Sequence, residues 1–202
     1  MVTISEGEKT IYQGVLENIA SFGFTKVSRS MLQKDRPDGI AWQIRFGGRK
    51  DAASTRILIS VFAGIRFEDI ESVRARDLDD DRAPSISVPI HFLHKDQHLI
   101  EWDSEDRESI ALIAKDVRDY AIPFFERYEN LAALLEALKS PNPMDWLSIS
   151  RTERPELMAA IMVVLGMKDE ARRVLQQAIE ERRTKPIGHR LPFERMLDRL
   201  FG

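Results

Sequence analysis

Ile40, Trp42, Ile44 and Phe46 alternate with other residues directly after Asp35-Arg36-Pro37-Asp38-Gly39. No other feature limits the fold as much. Alternation with a period of two buries one face of a β-strand, and Pro-Asp-Gly supplies turn dihedrals at little cost. A second β-branched run, Ile57, Ile59, Val61 and Phe62, follows after only the segment Gly47-Gly48-Arg49-Lys50-Asp51 and its polar continuation. Parallel strands need a crossover of a dozen or more residues, so closely spaced strands are expected to pair antiparallel. The Gly47–Asp51 segment reads as a loop. Phe24 to Lys34 reads as extended, and Ser85–Leu93 with Leu99–Trp102 as a further hairpin turning near His94-Lys95-Asp96-Gln97.

Helical patterns flank these strands. Ser5, with Glu8 three residues on, fits a capping box. Ile11, Val15, Leu16, Ile19 and Phe22 then form one stripe, which Gly23 ends as a C′ glycine. Phe67 to Leu78 fits a short helix. From Asp103 the period changes to 3.6. Ile110, Ile113, Val117 and Tyr120 lie on one stripe, which Pro123 interrupts or kinks, and Phe124, Leu131, Leu134, Leu135 and Leu138 continue it. Ser140-Pro141-Asn142-Pro143 reads as a linker. Three more helices are expected beyond it, at about Arg154–Leu165 (ended by Gly166), Lys168–Arg183 and Pro192–Phe201. Ser150 or Thr152 is placed to cap the first of them. The chain is therefore expected to be an α+β protein. Residues 1–140 form an antiparallel sheet of about five strands flanked by helices, and residues 144–202 form a C-terminal helical extension.

Composition excludes several classes. The 202 residues are 43% hydrophobic, enough for a sizeable core, and contain no cysteine. Disulfides, thiolate metal sites and cysteine nucleophiles are thereby ruled out. The longest apolar stretch, Leu157 to Met167, is too short for a bilayer span, which needs about twenty residues. The first residues lack the basic and apolar regions of a signal peptide. A net charge of −3 without a basic block disfavours nucleic acid as a partner. The expectation is a cytoplasmic protein that binds neither membrane nor nucleic acid.

No motif specifies a reaction. Asp77, Asp79 and Asp81 match the start of an EF-hand loop, but Arg82 replaces the required glycine and Val88 the bidentate glutamate. A solvated acidic loop is expected there. The phosphate-loop, dinucleotide and nucleophile-elbow patterns are absent. Ser148, Ser150 and Thr152 have no activating context. Met158, Met162 and Met167 fall in an almost wholly apolar helix and are expected to pack in the core. The chemistry-bearing residues cluster between His91 and Asp103. His91, His94 and His98 are close in sequence but have no zinc-ligand spacing. On a strand, His91 and His94 would face opposite sides. Glu101, Asp103, Glu105, Asp106 and Glu108 surround Trp102, and two carboxylates flanking an aromatic residue suggest glycoside hydrolysis. Acids in the first turn of a helix also favour its positive end. The candidate ligand-binding set is Trp42, Arg45, His91, His94, His98, Glu101, Trp102 and Asp103. A small-ligand platform would use Trp42, Phe62 and Trp102 on one sheet face. No metal or cofactor is expected, no catalytic residue is assigned, and oligomeric state is left open.

Two resemblances add to this reading. Leu157 to Glu181, with its turn at Leu165-Gly166-Met167-Lys168 and small Ala171 and Ala178, resembles a single tetratricopeptide-type hairpin. Separately, Gly23-Phe24 at the end of the first helix, Met31-Leu32-Gln33-Lys34, Ile40-Ala41-Trp42-Gln43-Ile44-Arg45, the strand Ile57–Ile65, Trp102 and the Ile122-Pro123-Phe124 step follow one another along the chain. That order, over about residues 5–140, resembles a bacterial family known only as domain of unknown function 4304. The resemblance implies an antiparallel sheet with a first helix ending in Gly-Phe, and it carries no catalytic residues. The function expected is a non-catalytic protein-interaction module, of an immunity or regulatory type. The alternative is a hydrolase-like enzyme or small-ligand binder built from the His91–Asp103 region.

Overall fold

The computed structural model describes residues 4–52, 54, 56–75, 82–94, 101–104, 106–140, 149–150, 153–183 and 192–202. The acidic segment 76–81, His98, Glu105, Ser148, Thr152 and the Pro141–Pro143 part of the linker lie outside these residues.

The fold is α+β, with a six-stranded antiparallel sheet. The strands are β1 (Thr25–Ser28), β2 (Met31–Arg36), β3 (Ile40–Lys50), β4 (Ile57–Phe67), β5 (Ile86–Pro89) and β6 (Trp102–Asp103). They run in the order β1-β2-β3-β4-β5, and β6 pairs with β4. β2 and β3 join through a tight turn in which Asp38 and Gly39 both have positive φ, 62° and 68°. This is the dihedral pattern of a type I′ turn, for which Asp-Gly is a preferred pair. Gly39→Ala is expected to cost about 1–2 kcal/mol in urea unfolding. The new Cβ would be held at positive φ, 3.0 Å from Glu68 Cβ.

Register assigns the two faces. Trp42 pairs with Ile65, Ile44 with Ala63, Phe46 with Val61 and Trp102 with Ile59, and all of these are buried. Helix α1 (Ile4–Ile19) packs on this face through Ile11, Val15 and Ile19. It lies close to α3 (Arg107–Asp116), because Gly14 has no side chain to meet Ile110. Gly23 follows α1 and a short 3-10 turn in the left-handed region, at φ 84°. A side chain there would be strained, so glycine is the expected residue.

Gly47 and Gly48 do not form a loop. Both lie inside β3, paired with Ser60 and Ile59. Gly48 N–H donates to Glu8 Oε1 at 2.7 Å, so the Glu8 carboxylate is turned to the sheet. The reversal comes later, where Asp51 N–H donates to the Arg56 carbonyl. β5 and β6 also fail to form a hairpin with each other. Each pairs with a different stretch of β4.

After β4 comes α2 (Glu68–Arg74). α3 runs without a break into a π turn at Val117–Ala121 and then α4 (Ile122–Tyr128). Pro123 has no N–H to give a preceding carbonyl, and its ring clashes with the carbonyl four residues back. The wider π turn absorbs that defect without a sharp break. Asn130 then caps α5 (Leu131–Lys139), accepting from the Ala132 and Ala133 amides.

The C-terminal helices are α6 (Arg154–Val164), α7 (Lys168–Arg183) and α8 (Pro192–Phe201). Ser150 and Glu153 cap the first of them, through Glu153 N–H to Ser150 Oγ at 3.1 Å and Ser150 Oγ to Glu153 Oε2 at 2.8 Å. α6 is buried through Leu157, Ala160, Ile161 and Met162, which belong to the same core as the sheet residues. Three arginines fasten these helices to the body. Arg74 of α2 donates to Glu156 of α6 at 3.0 Å. Arg154 Nε donates to the Leu138 carbonyl at 2.7 Å, at the C-terminal end of α5. Arg199 of α8 donates to the Val73 carbonyl at the end of α2. Guanidinium groups at helix C-termini meet carbonyls that have no intrahelical donor, at the negative end of the dipole.

Candidate functional site

The His91–Asp103 region divides between two places on the fold. One centres on the 3-10 turn Ile90–Leu93 that follows β5. His91 lies in this turn and His94 follows it with extended dihedrals, φ −76° and ψ 149°, so the two are not on one strand and the alternation expected of a strand does not apply to them. His91 is 7% exposed, with its ring edge-on to Phe92 at 4.5 Å. The His94 ring stacks on Tyr120 at 4.1 Å. Its Nε2 lies 3.3 Å from Asp116 Oδ2, within ion-pair range but without hydrogen-bond alignment. Asp116 ends α3 and Tyr120 lies in the π turn, so the Pro123 step shapes the surface on which His94 rests.

These environments shift the groups in different directions. Burial holds the His91 pKa below its ordinary value. The neighbouring His94 adds to that shift and Glu101 opposes it. Burial raises the Asp116 pKa, against the attraction of His94 and Lys115. Opposed environments of this kind are one mark of a functional site. Structural ion pairs leave the same mark.

The other place is on the opposite face of the sheet. Arg49 Nε donates to Glu101 Oε1 at 2.7 Å, and Arg49 Nη2 reaches Glu101 Oε2 in a bidentate pair. Ser60 Oγ adds a long bond to Glu101 Oε1 at 3.4 Å. Hydrogen bonding by Arg49 holds the Glu101 carboxyl below its usual range, against the effect of burial. Glu101 is thus kept ionised and occupied, which suits a structural ion pair better than a proton donor. Asp103 pairs with Arg56 at 3.6 Å. Asp106 Oδ1 accepts from Glu108 N–H at 2.9 Å as the cap of α3, the helix-start role that acids favour.

Other expected members separate. Trp102 is 4% exposed on the helix-covered face, while Glu101 and Asp103 on either side of it serve the other. Trp42 is also buried. Its ring stacks on Phe125 at 5.2 Å, and its Nε1 donates to Glu129 Oε2 at 3.1 Å. Phe62 pairs with Arg45 on the opposite face, so Trp42, Phe62 and Trp102 form no common platform. Arg45 shares a face with Arg49 but sits about 13 Å away along β3. Arg49, Ser60, Asp116 and Tyr120 complete these clusters without being marked by any motif in the sequence. The one available signal was parity, because Arg45 and Arg49 differ by an even number of residues and share a face. Among the described residues no group of three or more His, Asp or Glu side chains could hold a metal ion, and no helix is long and apolar enough to cross a membrane.

Fold and site together define an α+β chain whose ionisable clusters are mostly paired internally. No family model, curated protein or solved structure matches it.

Proposed function

We propose that the chain is a non-catalytic protein-interaction module that uses the sheet face opposite α1 to dock another protein. The carrying observation is the make-up of that face. Phe62, Leu58 and Pro89 are partly exposed there beside Arg45, Arg49 and Arg66. Aromatic residues and arginine are enriched at protein interfaces, where they often act as anchors. The candidate acids favour this reading over catalysis. Glu101, Asp103 and Asp106 are each engaged within the chain, and Ser60 meets a carboxylate where a serine nucleophile needs a base such as histidine. An immunity-type or regulatory partner in a bacterial cytoplasm, and membership of the family of unknown function named above, belong to the same reading.

The test is affinity purification from the source organism with the intact chain and with Phe62→Asp, after circular dichroism confirms that the variant folds. A specific protein should co-purify with the wild type and bind Phe62→Asp about tenfold more weakly or worse. Recovery of no specific protein, or equal binding by the variant, would sink the proposal.

A further inference from the structure

In the turn that follows β5, Ile90 is fully buried and Phe92 and Leu93 pack against the core, so the two histidines add polar contacts to an apolar anchor. The His94 N–H closes it on the His91 carbonyl at 3.2 Å. His94 is fixed against the α3–α4 arm by Tyr120 and Asp116. Among the described residues, the charged and titratable groups acting on this pair come from two sides. Lys115, Asp116, Asp119 and Tyr120 belong to the arm, and Glu101 lies beside β6. Lys115 and Asp119 pair with each other at 2.6 Å, and Glu101 is held by Arg49. Asp116 is the acid within ion-pair range, and it faces His94.

We propose that His91 and His94 form a proton-sensitive latch, which docks the turn 90–94 on the π turn more firmly at neutral pH than in mild acid. This needs no partner and stands apart from the docking proposal. Asp116 faces His94 at 3.3 Å. A proton on His91 would sit in a buried position, within the electrostatic reach of His94 and without a carboxylate at ion-pair distance among the described residues. Burial and His94 hold the His91 pKa below its ordinary 6.5, with Glu101 acting in the opposite sense. The sign follows from linkage. His91 binds a proton more readily when the turn is open, so docking is unaffected well above pH 6.5 and weakens as pH falls through it. One histidine of this kind can shift the opening equilibrium by up to about tenfold between pH 7.5 and 5.5.

Hydrogen–deuterium exchange on the full chain tests this, with rates corrected for intrinsic chemistry. Peptides covering 90–94 should lose up to about tenfold in protection between pH 7.5 and 5.5, while those from β3 and β4 stay protected. In His91→Gln, which keeps a polar side chain but does not titrate, the loss should vanish. Equal wild-type protection at both pH values overturns the latch, and so does an undiminished loss in His91→Gln. If His91→Gln does not fold at pH 7.5, the wild-type comparison alone decides.

Discussion

Arg74→Met is expected to destabilise the chain by about 3–5 kcal/mol, read as a lowered urea midpoint at pH 7. Arg74 is almost fully buried between α2, α6 and the start of β5. Its Nε donates to Glu156 Oε1 at 3.0 Å, and its Nη1 reaches Glu71 Oε1 at 3.4 Å and the Ser85 carbonyl at 3.5 Å. Glu156 has 2% side-chain exposure, and its Oε2 has no hydrogen-bond partner among the described residues. Methionine would fill much of the volume but leave the Glu156 carboxylate buried without its cation. A buried pair is costly to break and cheap to replace whole. The double variant Arg74→Met/Glu156→Leu should therefore recover most of the loss. A single variant within about 1 kcal/mol of wild type would show that the packing of Leu157, Ala160 and Ile161 holds α6 to the body without the ion pair.

Trp42→Ala should cost a comparable amount, about 3–5 kcal/mol, measured in the same way. Trp42 is 3% exposed at the centre of the sheet. One side of its ring system meets Phe125, while Lys34 and Arg36 approach its π face at 4.7 and 4.8 Å. Its N–H also shares Glu129 with Arg36. Truncation removes the stacking, the cation–π contacts and one hydrogen bond, and opens a cavity that β3, paired on both sides, cannot close. Trp42→Phe keeps the ring contact and should cost less than half as much, since it loses mainly the indole N–H and part of the volume.

Much of the body was readable because its signals are local. The alternation at Ile40–Phe46, the Asp38-Gly39 turn, the stripe ending at Gly23 and the Ser150 cap each depend on a few neighbouring residues. The errors share one cause. Gly47 and Gly48 have loop propensity, yet pairing with β4 and the Glu8 carboxylate hold them in a strand. Ser85–Leu93 and Leu99–Trp102 read as one hairpin, yet β5 and β6 each pair with a different stretch of β4, a choice that no local window reveals. The chain from Ser85 to Leu93 has enough apolar residues for one strand, but it leaves the sheet at Pro89 and coils into a 3-10 turn.

The candidate site shows the same division. His91, His94 and Glu101 stand out as residue types, and each lies at one of the two ionisable clusters. Arg49, Ser60, Asp116 and Tyr120 complete those clusters from elements far away in sequence. Glu101 meets Arg49 because of where β6 docks along β4, and His94 meets Asp116 because of the path of the α3–α4 arm.

The sequence by itself determined the α+β class, the antiparallel order of the central strands and the helical C-terminal part. Each follows from a period of 2 or 3.6 that any short window reveals. Only the tertiary structure decided which face each side chain serves, that His94 rests on Tyr120 and Asp116, and that Arg74, Arg154 and Arg199 bind the C-terminal helices to the body. Those outcomes depend on register and on contacts between distant segments, where burial and charge pairing outweigh the weak preferences of single residues.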